Sequence, residues 1–256
     1  MNVKKVMLSA VAFATVMSTS YAAKSNPDLQ AADEKEVVPS EPAEEHYTAP
    51  KSYGWSAIAI GVATPVQLPW GIEKWDIFGL DLNLGYSDAM EMYGWELAIG
   101  ANTARKTFIG LQTAVGFNFS NEDSYGLALA LFNMNNREFN GLSVDAFGYN
   151  RNVYGVELNV LGSMVDKTMG GVQISCLANL VDGDMYGVQA AVVGNFTRRV
   201  HGLQLALVYN QTDLLWGCQL AIVNMAFACD HGFQIGLVNV IMDNQIPFLP
   251  IVNGYF

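Results

Sequence analysis

Within the repeating part of this chain, four carboxylates, two histidines and three cysteines are the groups whose chemistry has to be accounted for. Asp81, Glu96, Asp145 and Glu157 share one polar strand face. Two carboxylates across a cleft would make the acid and base of a glycoside hydrolase. Spread singly over separate repeats among glutamine and alanine, they read instead as hydrated acidic lining that would favour cations. His201 and His231 occupy equivalent places two repeats apart. If each repeat is one strand, that spacing is about 9–10 Å, too far to share a metal ion, and they read as interfacial side chains. His46 stands apart in a polar leader. Cys176 and Cys218 fall among apolar positions and Cys229 near a turn, with no CxxC pair among them. Neither a disulfide framework nor a zinc site follows. The Gly-x-Gly spacings open no helix, so no nucleotide loop is read from them. No catalytic, cofactor or metal site emerges.

What positions these residues is a repeat. Gly202-Leu-Gln-Leu-Ala-Leu-Val-Tyr-Asn210 returns as Gly217-Cys-Gln-Leu-Ala-Ile-Val-Asn224 and as Gly232-Phe-Gln-Ile-Gly-Leu-Val-Asn239. Its glycine is found earlier at Gly79, Gly94, Gly110, Gly126, Gly141, Gly155, Gly171 and Gly187, always 14 to 16 residues from the next. With the glycine as position 1, positions 2, 4 and 6 are apolar in all eleven repeats except at Thr113. Position 3 runs Asp81, Glu96, Gln112, Ala128, Ser143, Glu157, Gln173, Gln189, Gln204, Gln219 and Gln234, and position 5 is small or polar. Such period-two alternation is a β-strand with one apolar and one polar face. Asn-, Asp- and Ser-rich breakers such as Ser120-Asn-Glu-Asp123 separate the strands and read as turns.

The ends differ. Residues 1–22 carry Lys4 and Lys5, an apolar run from Val6 to Val16 and the small residues of Ser20-Tyr-Ala22, the pattern of a secretory signal peptide. Residues 23–51 hold seven acidic residues and four prolines and read as a disordered acidic linker, leaving residues 52–256 as the repeat domain. With 13 basic against 24 acidic residues and a net charge of −11, the chain lacks the basic face that nucleic acid requires. The repeat phrase resembles the tandem surface repeat of a bacterial family best known from spirochaete surface lipoproteins. The resemblance implies an exported surface protein and carries no activity with it, and this chain lacks the lipidation cysteine of those members.

Two all-β architectures suit the pattern. One is an antiparallel up-and-down barrel of about 12–14 strands, each repeat being one membrane-crossing strand of about ten residues. Leucines would face lipid, and Asp81, Glu96, Gln112, Asp145, Glu157, Gln173, Gln189, Gln204, Gln219 and Gln234 would line a lumen. Phe78, Tyr93, Tyr125, Tyr154, Tyr186 and Trp216, each directly before a repeat glycine, would form the two aromatic girdles. This places the protein in a bacterial outer membrane as a structural protein or modest pore, with membrane lipid as partner. The closing Tyr255-Phe256 would be read by the barrel-assembly machinery. The alternative is a parallel β-solenoid in which each repeat is one coil with ladders of leucine inside and Gln or Asn along a face, a secreted adhesin or matrix component. The Gln-x-Ala/Gly-x-x-Asn phrase resembles curli-type repeats, which speaks for the solenoid. The second half of each repeat speaks against it, because it offers no steady apolar wall. The barrel is the main reading.

Overall fold

The repeat glycine decides between these architectures. In the computed structural model, which describes residues 51–63 and 65–255, every one of the eleven has a positive φ, from 122° at Gly171 to 154° at Gly232. L side chains rarely adopt this backbone region, and a Cβ added at Gly202 would lie 2.1 Å from the carbonyl oxygen of Gly187. From Gly94 onward each glycine is therefore stacked on the glycine one repeat earlier, and Gly79 is stacked on Ala57. The chain is a parallel β-solenoid of about eleven coils and not a barrel.

Strands β1 (Gly54–Ala63) and β2 (Val66–Leu68) pair antiparallel at the N-terminal end, followed by a single 3-10 turn at Ile72–Lys74. The first coils each contain two short strands. They are β3 (Trp75–Asn83) with β4 (Tyr86–Ala89), β5 (Glu91–Ala98) with β6 (Ala101–Ala104), and β7 (Phe108–Ala114) with β8 (Phe117–Ser120), after which β9 (Ser124–Leu129) opens the fourth coil. Further on, strand pairing continues around the corners in β10 (Phe132–Ser175), β11 (Ala178–Ala191), β12 (Gly194–Ala206), β13 (Tyr209–Leu220) and β14 (Val223–Ile241). Repeat strands pair parallel and in register, Gly187↔Gly202↔Gly217↔Gly232. The second strands stack likewise, Asn102↔Asn118↔Asn133. An antiparallel strand, β15 (Phe248–Tyr255), lies on β14 and closes the C-terminal end.

The period that suggested one long strand and a turn thus accommodates two short strands and two corners. The outer-membrane, β-barrel and transmembrane-strand readings fall with the barrel. No helix among the described residues is long and apolar enough to cross a membrane. The C-terminal strand is an end cap, not a closing barrel strand. The stretches expected to be a signal peptide (1–22) and, up to residue 50, an acidic linker lie outside the described residues.

The sidedness expected of a solenoid is also reversed. Position 3 points inward and the leucines of positions 2 and 4 point outward: Gln173, Gln189, Gln204, Gln219 and Gln234 are all fully buried, whereas Leu97, Leu142 and Ile235 are exposed. Alternation defines two faces without saying which is inside; volume decides. The inward set of a repeat is glycine, one glutamine and a small residue. It leaves a thin interior that a row of leucines would overfill. The apolar interior lies instead one residue before each aromatic column, where Phe139, Val153, Met169, Met185, Val200 and Leu215 meet Val165, Val181, Ala226 and Ile241.

Candidate functional site

The inner face of the repeat strand is a hydrogen-bonded amide ladder. Gln189 Nε2 donates to Gln173 Oε1 at 2.9 Å, Gln204 to Gln189 at 2.9 Å, Gln219 to Gln204 at 2.7 Å and Gln234 to Gln219 at 2.8 Å. Its first acceptor is Glu157, which receives Gln173 Nε2 at 2.9 Å and Ser163 Oγ at 2.7 Å, and also Asn150. A shorter copy runs from Gln112 to Glu96. The facing wall holds a second ladder, Asn179→Asn195→Asn210→Asn224→Asn239, at 2.9 to 3.0 Å per step. These asparagines also donate to backbone carbonyls of the repeat strand, Asn195 to Leu205 O and Asn210 to Leu220 O. A primary amide has donors and an acceptor that point both up and down a stack, so identical amides at 4.8 Å spacing satisfy one another. The solenoid alternative offers a ladder of Gln or Asn along a face, and the repeat phrase ends on Asn210, Asn224 and Asn239; what the sequence reading does not give is that this column starts at Asn179 and is buried on a second wall.

All ten residues assigned to a lumen are therefore packed inside, none more than 3% exposed. They line no pore. The four carboxylates among them are brought together only in part. Asp81 and Glu96 are register partners in adjacent coils, while Asp145 and Glu157 sit further along. Burial pushes Asp81 up to about 6 and Asp145 to about 7. Glu96 rises to about 8, mainly from burial and further from Asp81 beside it. Burial raises Glu157 as well. All four are packed inside the coils, shut off from the surface.

The six residues assigned to aromatic girdles form part of one column on one side of the solenoid, not two rings at opposite surfaces. Phe78 stacks on Tyr93 at 4.7 Å between ring centroids, and Tyr186, His201, Trp216 and His231 continue in sequence at 4.8, 5.6 and 5.6 Å. Trp216 separates the two histidines. Among the described residues no group of His, Cys, Asp or Glu could hold a metal ion. Cys176 is exposed, Cys218 half-buried and Cys229 buried.

The outer surface is divided by chemistry. The corner joining the repeat strand to the second strand carries Leu84, Ile99, Val115, Leu131, Val160, Val192, Leu207, Ile222 and Leu237, between 45% and 69% exposed. The opposite corner carries the charges, paired between coils: Arg105 with Asp88, Lys106 with Glu91, Arg137 with Asp123, Arg198 with Asp182 and Arg199 with Asp184. Alternating sign there prevents the like-charge ladder that a parallel stack would otherwise create. Beside the apolar corner of the last coils runs a groove of about 810 Å³ between the rows Ile174, Leu205, Leu220, Ile235 and Val192, Leu207, Ile222, Leu237, with Ala191, Ala206, Ala221 and Gly236 between them and Ile251 nearby. The groove is aliphatic; Ser175 is the one polar side chain in its lining. It offers apolar contact and no reacting group.

No family model, no curated protein and no solved structure matches the chain.

Proposed function

We propose that this chain is a non-enzymatic, exported surface β-solenoid that acts as an adhesin or matrix component. The observation that carries the reading is the division of its side chains. Polar groups that could bind or react are spent on one another in the Gln and Asn ladders, whereas the outside presents a long, regular apolar surface suited to contact. Such a continuous apolar surface on a protein marks an interaction site. The solenoid supplies that surface in a rigid, extended form, since each coil leans on its neighbours. The repeat phrase, with its resemblance to bacterial surface repeats, supports the exported location, as does the secretory pattern of residues 1–22.

Protease shaving of intact cells that make the protein tests location. Digestion without lysis is the expected result, and protection until lysis would sink the reading. Deleting the gene should reduce attachment of those cells to one another or to a surface. Unchanged attachment after deletion, in a strain whose parent exports the protein, would remove the adhesive role.

A further inference from the structure

We propose that the apolar corner of the solenoid beds into one leaflet of a lipid surface, with the solenoid axis lying in the membrane plane. This names a partner for the surface described above and rests on that reading for compartment alone. The first observation is a charge-free arc. In each coil the stretch from the aromatic column across the corner to the second strand is uncharged, as in residues 109–119, 125–134, 186–196, 201–211, 216–226 and 231–241. The exceptions are Asp81, Glu96, Asp145 and Glu157, which all point inward, and Asp88 at the far end of the first arc, nearly buried in its ion pair with Arg105. The exposed ion pairs of the coils lie at the opposite corner.

The second observation is the order of side chains with distance from that corner. Aliphatic residues such as Leu207, Ile222 and Leu237 occupy the corner, leucines the flank, Tyr186 and Trp216 the column beyond it, and charges the far side. A bilayer presents hydrocarbon, headgroup interface and water in that same order, with Tyr and Trp favoured at the interface. Distances agree. Six residues separate the aromatic column from the corner, about 20 Å along a strand, against about 15 Å for half of a hydrocarbon core plus part of the interface. Backbone groups in the buried arc are already bonded between coils, as lipid contact requires. The corner would enter one leaflet without crossing the membrane.

A second copy of the chain is the competing occupant. The corner row is 45–69% exposed, against 37–52% for exposed residues on the adjoining face such as Leu142 and Trp216, and along the last coils it also borders the aliphatic groove. A rigid partner has to match both the ridge and the groove beside it, whereas fluid hydrocarbon closes around the one and fills the other. That geometry favours lipid.

Flotation of the full chain with phosphatidylcholine vesicles tests the inference, at low and high salt. Salt-insensitive flotation is expected because the contact is apolar. Leu207→Asp, Ile222→Asp and Leu237→Asp should each weaken it at least about tenfold, given the cost of a charge in hydrocarbon. Asn136→Asp, on the charged side, should leave it unchanged. Absence of flotation would overturn the proposal. So would flotation that survives the corner substitutions, since the apolar run in residues 1–22 would then be the lipid contact. Self-association without lipid, abolished by the same substitutions and unaccompanied by flotation, would assign the corner to a second copy and overturn it too. If a variant fails to fold, the unaltered chain still decides: acyl-chain bromine should quench Trp95 on the flank, and Trp95→Phe should reduce that quenching. No quenching would overturn the proposal. Shaving of cells reports on location and vesicle binding on lipid, so one can fail without the other.

Discussion

Glu96 lies beside Asp81 in the neighbouring coil, with Gln112 Nε2 as a donor at 2.9 Å. Its carboxyl, at about 8, is far above the 4.5 of an unfolded chain. Between these values the folded state holds a proton that the unfolded state releases, so stability is fully present below pH 4.5 and falls as pH rises through 8. Asp145 and Asp81 act in the same direction between 3.8 and about 7 or 6. Melting temperature should therefore fall from pH 5 to pH 8. Glu96→Gln should flatten the fall and raise stability at pH 8 by a few kcal/mol, because glutamine already fills this position in six later coils. A steeper fall in the variant would show that Glu96 is ionised when folded. The glycine column gives the opposite case. Gly202→Ala forces a side chain into φ 146° and against Gly187 O at 2.1 Å, costing about 3 kcal/mol or more. Urea denaturation would measure the loss, and a cost below about 1 kcal/mol, the lower end for such strain, would contradict the stacking.

At the level of the element, Leu203 on β12 and Cys218 on β13 are register partners on the same outward face. Neighbouring strands stand about 4.8 Å apart, within the Cα range of a disulfide. Leu203→Cys should form a disulfide with native Cys218 under mild oxidation, detected by mass after digestion. An antiparallel meander would keep these positions apart, and failure to crosslink would revive it. The repeat strand was legible because Leu203, Leu205 and Leu207 alternate with Gln204 and Ala206 over a full strand length. Its partner was not. In the early coils the second strand is only four residues, such as Tyr86–Ala89 and Phe117–Ser120, too short for periodicity to register. Its inward residues, Asn102 and Asn118, are polar, so a search for an apolar wall passed over them. The face of Gln204 was misassigned for a related reason. Buried amides are costly singly, and only stacking on Gln189 and Gln219 makes the interior acceptable. That neighbour relation is invisible until the register is known.

Across the whole molecule, parallel stacking leaves two ends where backbone groups await another strand. At the C-terminal end β15 reverses direction, pairing Tyr255 with Gly232 and Phe248 with Val240. It also carries Pro250, which has no N–H to offer a further strand. At the other end β2 is only three residues long, antiparallel to β1, and is followed by Pro69. Reversed, short and proline-bearing strands mismatch the parallel register of another solenoid, as terminal caps of repeat proteins do. The intact chain should therefore not elongate by stacking end to end. Truncation after residue 246 would uncover the edge of β14 with its Gln234 and Asn239 ladder ends, and the product should associate through that edge into larger species. Light scattering of matched samples distinguishes the outcomes. Association of the truncated chain alone supports the capping role of β15. Equal association of both forms would mean that β15 does not guard the end, and that intact solenoids elongate into fibres of their own accord.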